Sequence, residues 1–389
     1  MIHGKGAGMW GPALFYAGFA NGEIVDPTVS DIINVLDSIA PQALAEAWDN
    51  VGLQVGDPQR RVKRIWIALD PTHQVVNAAC RQKVDLLITH HPLIFKPLQS
   101  LDFRTPEGSI IDLAVRHHLA IFAAHTNLDS VPGGINDVLA GRIGLYDLKP
   151  LVRAKEPQRF KMVIHAPREA EKQITRLLFQ PQTETGHPVK GASAMMPVKG
   201  IVATADTRKI LYEDQIRIEI EVGIDDLALV TKALTEFQSG NQIRYDVCPL
   251  IAPDQGAGIG RVGSLESALD LKSLAHIIKK KLKLRYLRLS GDPALPVKKV
   301  AICSGSGASL LTDFFASGAQ VYISGDLRYH DARDIEASNL GLIDIGHFAS
   351  EQLIVDVLAE RLTGIFAESN MNLIVKACDI EKDPFTVLL

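Results

Sequence analysis

The segment Asp85–Pro92 reads DLLITHHP, and it decides the interpretation of the whole chain. Its first part, Asp85–Thr89, has the length and apolar character of a strand that is buried on both faces. Two histidines follow directly, where the strand ends and a loop begins. In open α/β sheets, ligands bind at the carboxyl ends of the parallel strands. The segment therefore predicts a parallel sheet that carries a polar site at one edge.

Strand and helix patterns alternate on both sides of this segment. Arg64–Leu69 and Leu119–Ala124 are two more buried-strand patterns, and helical patterns separate the three. The same alternation returns near the C-terminus, with three strand patterns and a final long helix at Lys299–Cys303, Gln320–Ser324, Leu342–Ile345 and about Ala349–Leu362. This alternation predicts the α/β class, built as two α/β halves.

A segment of different character, about Arg159–Leu250, separates the two halves. Its strand and helix patterns follow the order β-α-β-β-α-β of a ferredoxin-like unit. Stretches rich in Pro and Gly, Lys149–Pro157 and Ala252–Gly260, lie on either side of it. We therefore expect an inserted α+β domain and four parts in all: a disordered leader of residues 1–27, an N-terminal half of residues 28–150, the insert of residues 151–255 and a C-terminal half of residues 256–389.

Composition and charge exclude several classes of protein. Hydrophobic residues make up 47% and charged residues 22%, which argues against a mostly disordered chain. The 41 Lys and Arg residues against 45 Asp and Glu residues give a net charge of −4, so the electrostatic footprint of a nucleic-acid binder is absent. The four cysteines form no CxxC pair, which argues against a thiolate zinc site and favours a reducing cytoplasm. No apolar run is long enough to span a membrane, and Gly11 and Pro12 interrupt the signal-like stretch Met9–Ala20.

Three other loops that follow predicted strands carry histidine or carboxylate groups. They are His125–Asp129 (HTNLD), Gly346–Glu351 (GHFASE) and Ser324–His330 (SGDLRYH). His347 and Glu351 are four residues apart at the start of a helix, so they lie on one face. Each group alone has a simpler explanation, such as a packed histidine, a helix cap or an exposed i,i+4 pair.

Together, the histidines and carboxylates at four strand ends predict a metal site. Mixed imidazole and carboxylate ligation suits zinc, iron, manganese, nickel or cobalt, and it argues against a structural zinc site. Two histidines and a bridging carboxylate can hold two ions ~3.5–4 Å apart, as in dinuclear hydrolases. Two other features stay open. Cys303–Gly307 (CSGSG) is either a phosphate-binding loop or a tight turn, and the basic run Lys279–Arg288 is either a solvated face or a phosphate contact.

A set of short motifs occurs in a fixed order along the two halves. The motifs are Trp48–Leu53 (WDNVGL), Thr89–Pro92 (THHP), His125–Asp129, Gly260–Gly263 (GRVG), Ser324–Asp326 with His330, and Gly346-His347 with Glu351. In this order they resemble the NIF-three-like family, which is often labelled GTP cyclohydrolase I type 2. The resemblance covers about residues 29–365 apart from the insert. It implies one metal-binding unit made of both α/β halves, with an insert that is similar to PII-type signalling proteins.

The resemblance also implies a dinuclear metal site. His90 and His347 would hold one divalent ion. His91 and Asp129 would hold the other, and Glu351 would bridge both. In the family, six subunits form a hollow toroid whose metal sites face an inner cavity, so the resemblance implies a homohexamer.

Two more histidines would line this site without holding metal. His125 and His330 are the expected general acid and base, because an imidazole changes its charge near pH 7. The insert departs from the family, since longer relatives carry a His-Pro-Tyr-Glu element where this chain has Ser239–Arg244 (SGNQIR). The resemblance therefore does not extend to any site that this element forms.

These features predict a cytoplasmic hydrolase with two divalent metal ions. A hydroxide that bridges the ions would attack an electrophilic carbon or phosphorus of an unknown small-molecule substrate. The alternative is a non-catalytic protein, either a metal store or a regulatory scaffold whose insert senses a metabolite. A third interpretation, a ring that binds nucleic acid through the basic run, has the net charge against it.

Overall fold

The computed structural model describes residues 26–154, 159–179, 192–203, 210–237, 243–250, 256–369 and 371–388. The expected leader lies outside the described residues except for its last two positions. The described residues fall into two compact units, one within Met1–Lys155 and Gln255–Leu389 and the other within Glu156–Asp254. No helix in the described ranges has both the length and the apolar character to cross a membrane.

The first part of the larger unit alternates between helices and strands, as the sequence predicts. Its elements are helix α1 (Val29–Ile39), strands β1 (Gly52–Val55) and β2 (Arg64–Ala68), helix α2 (His73–Arg81), strand β3 (Leu86–Thr89), helix α3 (Pro106–His117), strand β4 (Ala120–Ala123), helices α4 (Thr126–Ser130) and α5 (Ile135–Ile143) and strand β5 (Tyr146–Arg153). Helix α1 begins with a capping box, because the Thr28 hydroxyl accepts from the amide of Asp31 and the Asp31 carboxylate accepts from the amide of Thr28.

The smaller unit has the ferredoxin-like order that the sequence predicts. Its elements are strand β6 (Arg159–Pro167), helix α6 (Glu171–Phe179), strands β7 (Ala192–Ala203) and β8 (Ile210–Gly223), helix α7 (Ile224–Phe237) and strand β9 (Arg244–Leu250). The strands form an antiparallel sheet in the order β7-β8-β6-β9. Its core contains Ile164, Ile174, Ile218 and Leu234. Residues 239–242, which are most of the stretch that departs from the family, lie outside the described residues, and similarity to PII-type proteins stays a prediction.

The last part of the larger unit returns to the α/β pattern. Its elements are strand β10 (Gly258–Asp270), helix α8 (Leu271–Lys281), strands β11 (Arg288–Ser290) and β12 (Pro296–Ser306), helix α9 (Leu311–Ser317), strand β13 (Val321–Gly325), helix α10 (Tyr329–Ala337), strand β14 (Gly341–Asp344), helices α11 (His347–Glu351) and α12 (Leu353–Glu368) and strand β15 (Ile374–Ala377). The final long helix of the sequence prediction is thus two helices, α11 and α12, which meet at Gln352.

Two sheets organise the larger unit. The first has the order β1-β4-β3-β2-β15, in which β4, β3, β2 and β15 are parallel. The second has the order β11-β14-β13-β12-β10-β5, in which β14, β13 and β12 are parallel. Every residue of β3 and β4 is buried, as in strands that are covered on both faces. Because β15 pairs with β2, the C-terminal part of the chain completes the sheet of the N-terminal half.

Strands β5 and β10 extend into the two stretches rich in Pro and Gly that lie on either side of the insert. Strands β5 and β10 are antiparallel, with Arg153 opposite Gly258. The amide of Ala154 donates to the carbonyl of Ala257 at 3.0 Å. Glycine suits this part of β10, because Gly258 has a φ of 150° and Gly260 a φ of 63°. The insert therefore leaves and re-enters the larger unit at neighbouring strand ends.

The GRVG motif lies in β10 and places a buried arginine beside α5. The Arg261 guanidinium is 2.6 Å from the Asp137 carboxylate and donates to the carbonyls of Val131 and Gly260 at 2.9 and 2.8 Å. A buried charge is tolerated when it is paired and its donors are used. Arg261 therefore links the loop after α4 to the second sheet through a hydrogen bond.

Candidate metal centre

The carboxyl ends of the first sheet bring three histidines together. His90 and His91 follow β3, and His125 follows the parallel strand β4. The ring centroid of His125 is 5.1 Å from that of His90 and 5.5 Å from that of His91. One ring nitrogen of each lies within 4.8 Å of the others, so the three could hold a metal ion. His90 is buried and the other two are partly buried.

The second sheet contributes through α11, the short helix after β14. Gly346, with a φ of 83°, turns the chain out of the strand, and the helix begins at His347. Glu351 is four residues further on and buried, and its Oε2 lies 3.0 Å from Nε2 of His347. Together with His91, these two residues form a second group that could hold a metal ion.

Two of the imidazoles each have a carboxylate of their own beside Nδ1. Nδ1 of His91 lies 2.8 Å from Oδ1 of Asp70, and Nδ1 of His347 lies 2.8 Å from Oδ2 of Asp326. Asp70 follows β2 and Asp326 follows β13, so both sit at carboxyl ends of parallel strands. An acceptor at Nδ1 fixes the proton there and leaves Nε2 with a free lone pair, as behind metal-binding histidines.

The other two imidazoles are held in the same way. Nδ1 of His125 lies 2.9 Å from Oδ1 of Asp49, whose second oxygen accepts from the amide of Thr126 at 3.1 Å. Burial raises the pKa of Asp49, but the bonds from His125 and Thr126 outweigh it and lower the pKa to about 2. Nδ1 of His90 lies 2.9 Å from the carbonyl oxygen of Ala124. All four rings thus keep Nε2 for the cluster.

The Nε2 atoms converge on Glu351. Nε2 of His91 lies 3.1 Å from Oε2 of Glu351 and 3.3 Å from Nε2 of His347. Nε2 of His90 lies 3.7 Å from Oε1 of Glu351 and 3.7 Å from Oδ1 of Asp129. The Glu351 carboxylate therefore lies between a first set of neighbours, His91 and His347, and a second set, His90 and Asp129.

Two buried polar atoms of the cluster lack a hydrogen-bond partner. They are Nε2 of His90 and Oε2 of Glu351, within the part of the chain that the structure describes. Buried polar atoms are rarely left unpaired in folded proteins. A divalent cation of the kind that imidazole and carboxylate bind would satisfy both. The residues present therefore fit a metal ion.

The charges of the cluster favour a cation. Burial alone would raise the pKa of Glu351, but the neighbouring imidazoles of His347 and His90 hold it well below its usual range. Burial lowers the pKa of His91, but Asp70 and Glu351 outweigh this effect and raise it to about 10. Glu351 likewise raises the pKa of His347 to about 9, against the effect of burial. The imidazoles therefore sit in a negative field, which attracts a positive ion.

Strand β12 passes close to this carboxylate. Gly305 has a φ of 62°, and a Cβ atom there would overlap Oε1 of Glu351. The amide of Gly305 donates to Oγ of Ser350 at 2.8 Å. Within Cys303–Gly307, a glycine is thus needed at position 305, because the strand passes so close to the Glu351 carboxylate. The first four residues of the CSGSG stretch, Cys303–Ser306, form the end of strand β12 and not the loop or turn that the sequence predicts.

The profile of one protein family, Duf34/NIF3 (NGG1p interacting factor 3), matches residues 27–384. The chain belongs to this family. The matched range contains both sheets of the larger unit and every residue of the cluster.

Relatives over nearly the full length carry the name GTP cyclohydrolase 1 type 2 homolog. The one from Bacillus subtilis is 29% identical over 369 residues, which is 92% of this chain and 98% of the relative. The one from Mycobacterium tuberculosis is 32% identical over 377 residues, which is 92% of this chain and 97% of the relative.

Solved structures of Duf34/NIF3 relatives share the fold. A Bacillus cereus protein related to NIF3 superposes with a TM-score of 0.73 at 28% identity, covering 94% of this chain and 100% of that one. A Staphylococcus aureus protein superposes with a TM-score of 0.71 at 27% identity, with the same coverage.

The distances favour a different pairing of ligands from the one that the resemblance to this family implies. That pairing places His347 with His90, and Asp129 with His91. In the structure, Nε2 of His347 lies 3.3 Å from Nε2 of His91, and Oδ1 of Asp129 lies 3.7 Å from Nε2 of His90. Adjacent side chains at a strand end diverge, and the sequence does not say which of the two turns toward which sheet. Glu351 contacts both sets.

Of the two expected acid–base residues, the structure brings only His125 to the cluster. His330 is exposed near the start of α10, and its ring contacts Tyr329. In the described residues it makes no hydrogen bond or ion pair with the cluster. Asp326, four residues before His330 in the sequence, holds His347. A catalytic role for His330 stays a prediction without a supporting contact.

The sequence gives no role to two carboxylates that hold histidines. Asp49 lies within the WDNVGL motif, 76 residues before its partner His125. Asp70 directly follows a buried strand, 21 residues before His91. The available signal for Asp70 is its position at the carboxyl end of a parallel strand, the same signal that identifies His90.

A pocket of about 560 Å³ opens beside His91 and His347. Its volume lies in the range of small-molecule sites, ~300–1,000 Å³. Aromatic rings, carboxylates and one guanidinium share its wall: Leu69, Asp70, Tyr286, Arg288, Asp326, Asp344, Gly346, Phe348, Asp383, Pro384 and Phe385. The guanidinium of Arg288 is paired with Asp344 and donates to the carbonyl of Leu327 at 3.1 Å.

Proposed function

We propose that the chain is a hydrolase whose two divalent metal ions are held by His90, His91, Asp129, His347 and Glu351. The observation that supports this most is the pair of unpartnered buried atoms, Nε2 of His90 and Oε2 of Glu351, where four oriented imidazoles meet. When bound, a pair of divalent ions lowers the pKa of a coordinated water toward neutrality and so supplies hydroxide for hydrolysis. Zinc, iron, manganese, nickel and cobalt all suit these donors.

Residues of the chain hold the ions, orient the histidines and transfer protons. Glu351 places one negative charge between the two sets of ligands and can serve both. Asp70 and Asp326 keep His91 and His347 in the tautomer that leaves Nε2 free. His125 is held at Nδ1 by its own carboxylate partner, so its Nε2 can accept a proton from the attacking water and then pass that proton to the leaving group.

The pocket beside the cluster gives a small molecule access to His91 and His347. The guanidinium of Arg288 lies in its wall, and a fixed guanidinium suits a phosphate or carboxylate group. The aromatic side chains Phe348 and Phe385 lie in the same wall and suit an apolar or planar part. A small anionic ester or amide is therefore the proposed class of substrate.

Metal analysis and a substrate screen test this proposal together. The protein is purified without added metal, reconstituted, and assayed against phosphoesters and cyclic amidines. We expect about two ions per chain, as in dinuclear hydrolases. Glu351→Gln should lose metal and turnover, whereas His276→Gln, a change of an exposed histidine on α8, should lose neither. Full turnover by metal-free Glu351→Gln would contradict the proposal.

The second candidate is a non-catalytic metal-binding or regulatory protein. The smaller unit favours it, because a separate ferredoxin-like body is not needed to build the metal centre. This candidate requires reversible metal binding without turnover of any substrate in the screen. It also requires that a metabolite bound to residues 156–254 changes the metal affinity.

Assembly into a hexamer, which the family resemblance implies, is also a proposal. The loop between β3 and α3 exposes large apolar side chains: Phe95, Leu98, Leu101 and Phe103. Exposed apolar side chains that lie near each other are typical of protein interfaces. Light scattering should give six times the mass of one chain, and the mass of a monomer would contradict the assembly.

A further inference from the structure

The chain segment that follows β15 crosses the carboxyl end of β2. The amide of Cys378 donates to the carbonyl of Ile67 at 2.7 Å, next to the paired strands. Three residues later, the Glu381 carboxylate accepts from two consecutive amides. Its Oε2 accepts from Leu69 and its Oε1 from Asp70, both at 2.8 Å.

These two bonds act on the residue that orients His91. Asp70 accepts from Nδ1 of His91 at 2.8 Å, and Nε2 of the same ring lies 3.1 Å from Glu351. The contacts therefore run without interruption from Glu381 through Asp70 and His91 to the centre of the cluster. Two bonds to neighbouring amides fix both the position and the direction of the backbone between them.

The environment of Glu381 indicates that holding this backbone is its main role. Its side chain is partly buried, and burial raises its pKa, which the two amides oppose. In the described part of the chain no Lys or Arg pairs with it, so both oxygens are used on main-chain donors. A carboxylate withdrawn from water is stable only when such donors satisfy it. The segment that it anchors also places Asp383 and Phe385 in the wall of the pocket.

We propose that Glu381 is a positioning residue for the metal centre. It fixes the backbone at Asp70, and Asp70 then holds the His91 ring with Nε2 toward Glu351. The proposal rests on the metal binding proposed above and extends it, because it makes a segment beyond the last strand part of the site.

The test compares Glu381→Ala and Glu381→Gln with a matched control, Asp379→Ala, an exposed carboxylate on the same segment. Zinc affinity is measured in the full chain by competition with a chelator, and thermal unfolding is measured without metal. Glu381→Ala should lower the affinity for one of the two ions about 10-fold. This is the lower end of the loss of metal affinity that is usual when a residue behind a ligand is changed. Glu381→Gln keeps one accepting oxygen, so its zinc affinity should fall less. The control should bind zinc as tightly as the unmutated protein. With cobalt bound, Glu381→Ala should also change the visible spectrum of the weakened ion.

A double substitution separates positioning from general stability. Asp70→Asn should weaken the same ion, and adding Glu381→Ala should weaken it little further, because both act through His91. Unchanged zinc affinity in Glu381→Ala, fully additive effects, or equal weakening of both ions would overturn the proposal. Amide hydrogen exchange provides a readout without metal, since Leu69 and Asp70 should exchange faster in Glu381→Ala. If the unmutated protein binds no metal, the proposed function fails, whereas the exchange result still decides whether Glu381 holds the backbone.

Discussion

The two sheets of the larger unit supply the cluster in different ways. The first sheet places His90, His91 and His125 directly at its strand ends. The second sheet places His347 and Glu351 on helix α11, one step after the strand. Both sheets use parallel strands whose carboxyl ends turn toward the cluster, which is the usual position for a ligand site in this class.

The difference shows that neither sheet supplies all five of the proposed ligands. The three histidines of the first sheet lack the Glu351 carboxylate, and the second sheet lacks enough imidazoles. The orienting carboxylates are also divided, with Asp70 after β2 and Asp326 after β13. A metal centre of this kind therefore forms only when both halves fold against each other.

The largest effect is expected from displacing Glu351, the residue of the second sheet that contacts histidines of both sheets. Gly305→Ala adds a Cβ atom against Glu351 at a positive φ. The backbone strain alone costs ~1–3 kcal/mol, and displacement of the carboxylate should abolish metal binding. Urea unfolding and metal analysis measure both effects. The matched control is Gly141→Ala in α5, where a Cβ atom meets no other atom within 4 Å. Normal metal content in Gly305→Ala would mean that Glu351 does not need its position.

The next effect compares the two orienting carboxylates, one from each sheet. Asp70→Asn and Asp326→Asn preserve shape but remove the charge behind His91 and His347. Each should weaken metal binding by about 10- to 100-fold, the usual loss for such partners. Isothermal titration with zinc measures both. If one variant binds as tightly as the unmutated protein, the two sheets do not contribute equally.

A third comparison concerns the two histidines expected in acid–base roles. His125→Gln should lower turnover of any substrate found in the screen by ~10²–10⁴-fold, because it removes a proton-transfer group. His330→Gln should leave turnover unchanged, since His330 is exposed on α10. Steady-state rates of the two variants decide the matter. A large loss in His330→Gln would restore the role that the sequence predicts for it.

The smallest effect is expected from removal of the smaller unit. Because the amide of Ala154 donates to Ala257 at 3.0 Å, a short Gly/Ser turn can replace residues 156–254. Metal content per chain should stay the same, since the five proposed ligands all lie in the larger unit. Loss of all metal from a shortened chain that is still folded, by circular dichroism, would show that the insert contributes to the centre.

The buried strands and the residues after them could be predicted from the sequence. The apolar runs at β2, β3 and β4 are visible because each strand is covered on both faces. By contrast, β5 alternates weakly between exposed and partly buried residues, and β10 begins with glycines, so neither shows the continuous apolar run of a buried strand. The whole insert lies between the two strands in the sequence, so no local pattern predicts that they pair with each other.

The sequence could also predict which residues meet in the cluster better than how they are arranged. His90, His91, His347 and Glu351 are recognisable from their place after strands. The sets in which they meet depend on which way adjacent side chains turn at the end of β3, which the spacing leaves undecided. The long-range bond from Asp49 depends on packing over 76 residues and has no signature of its own.

The pairing of β15 with β2 has a consequence for synthesis. Glu381 follows Leu69 by 312 residues, so a ribosome adding ~5–20 residues per second takes roughly 15–60 s to travel between them. During that time β2 has emerged with one edge unpaired, and an unpaired edge can accept a strand from another chain. The nascent chain is thus exposed to pairing with another chain during this interval, and the bonds that hold the backbone behind His91 form only after translation has passed Glu381.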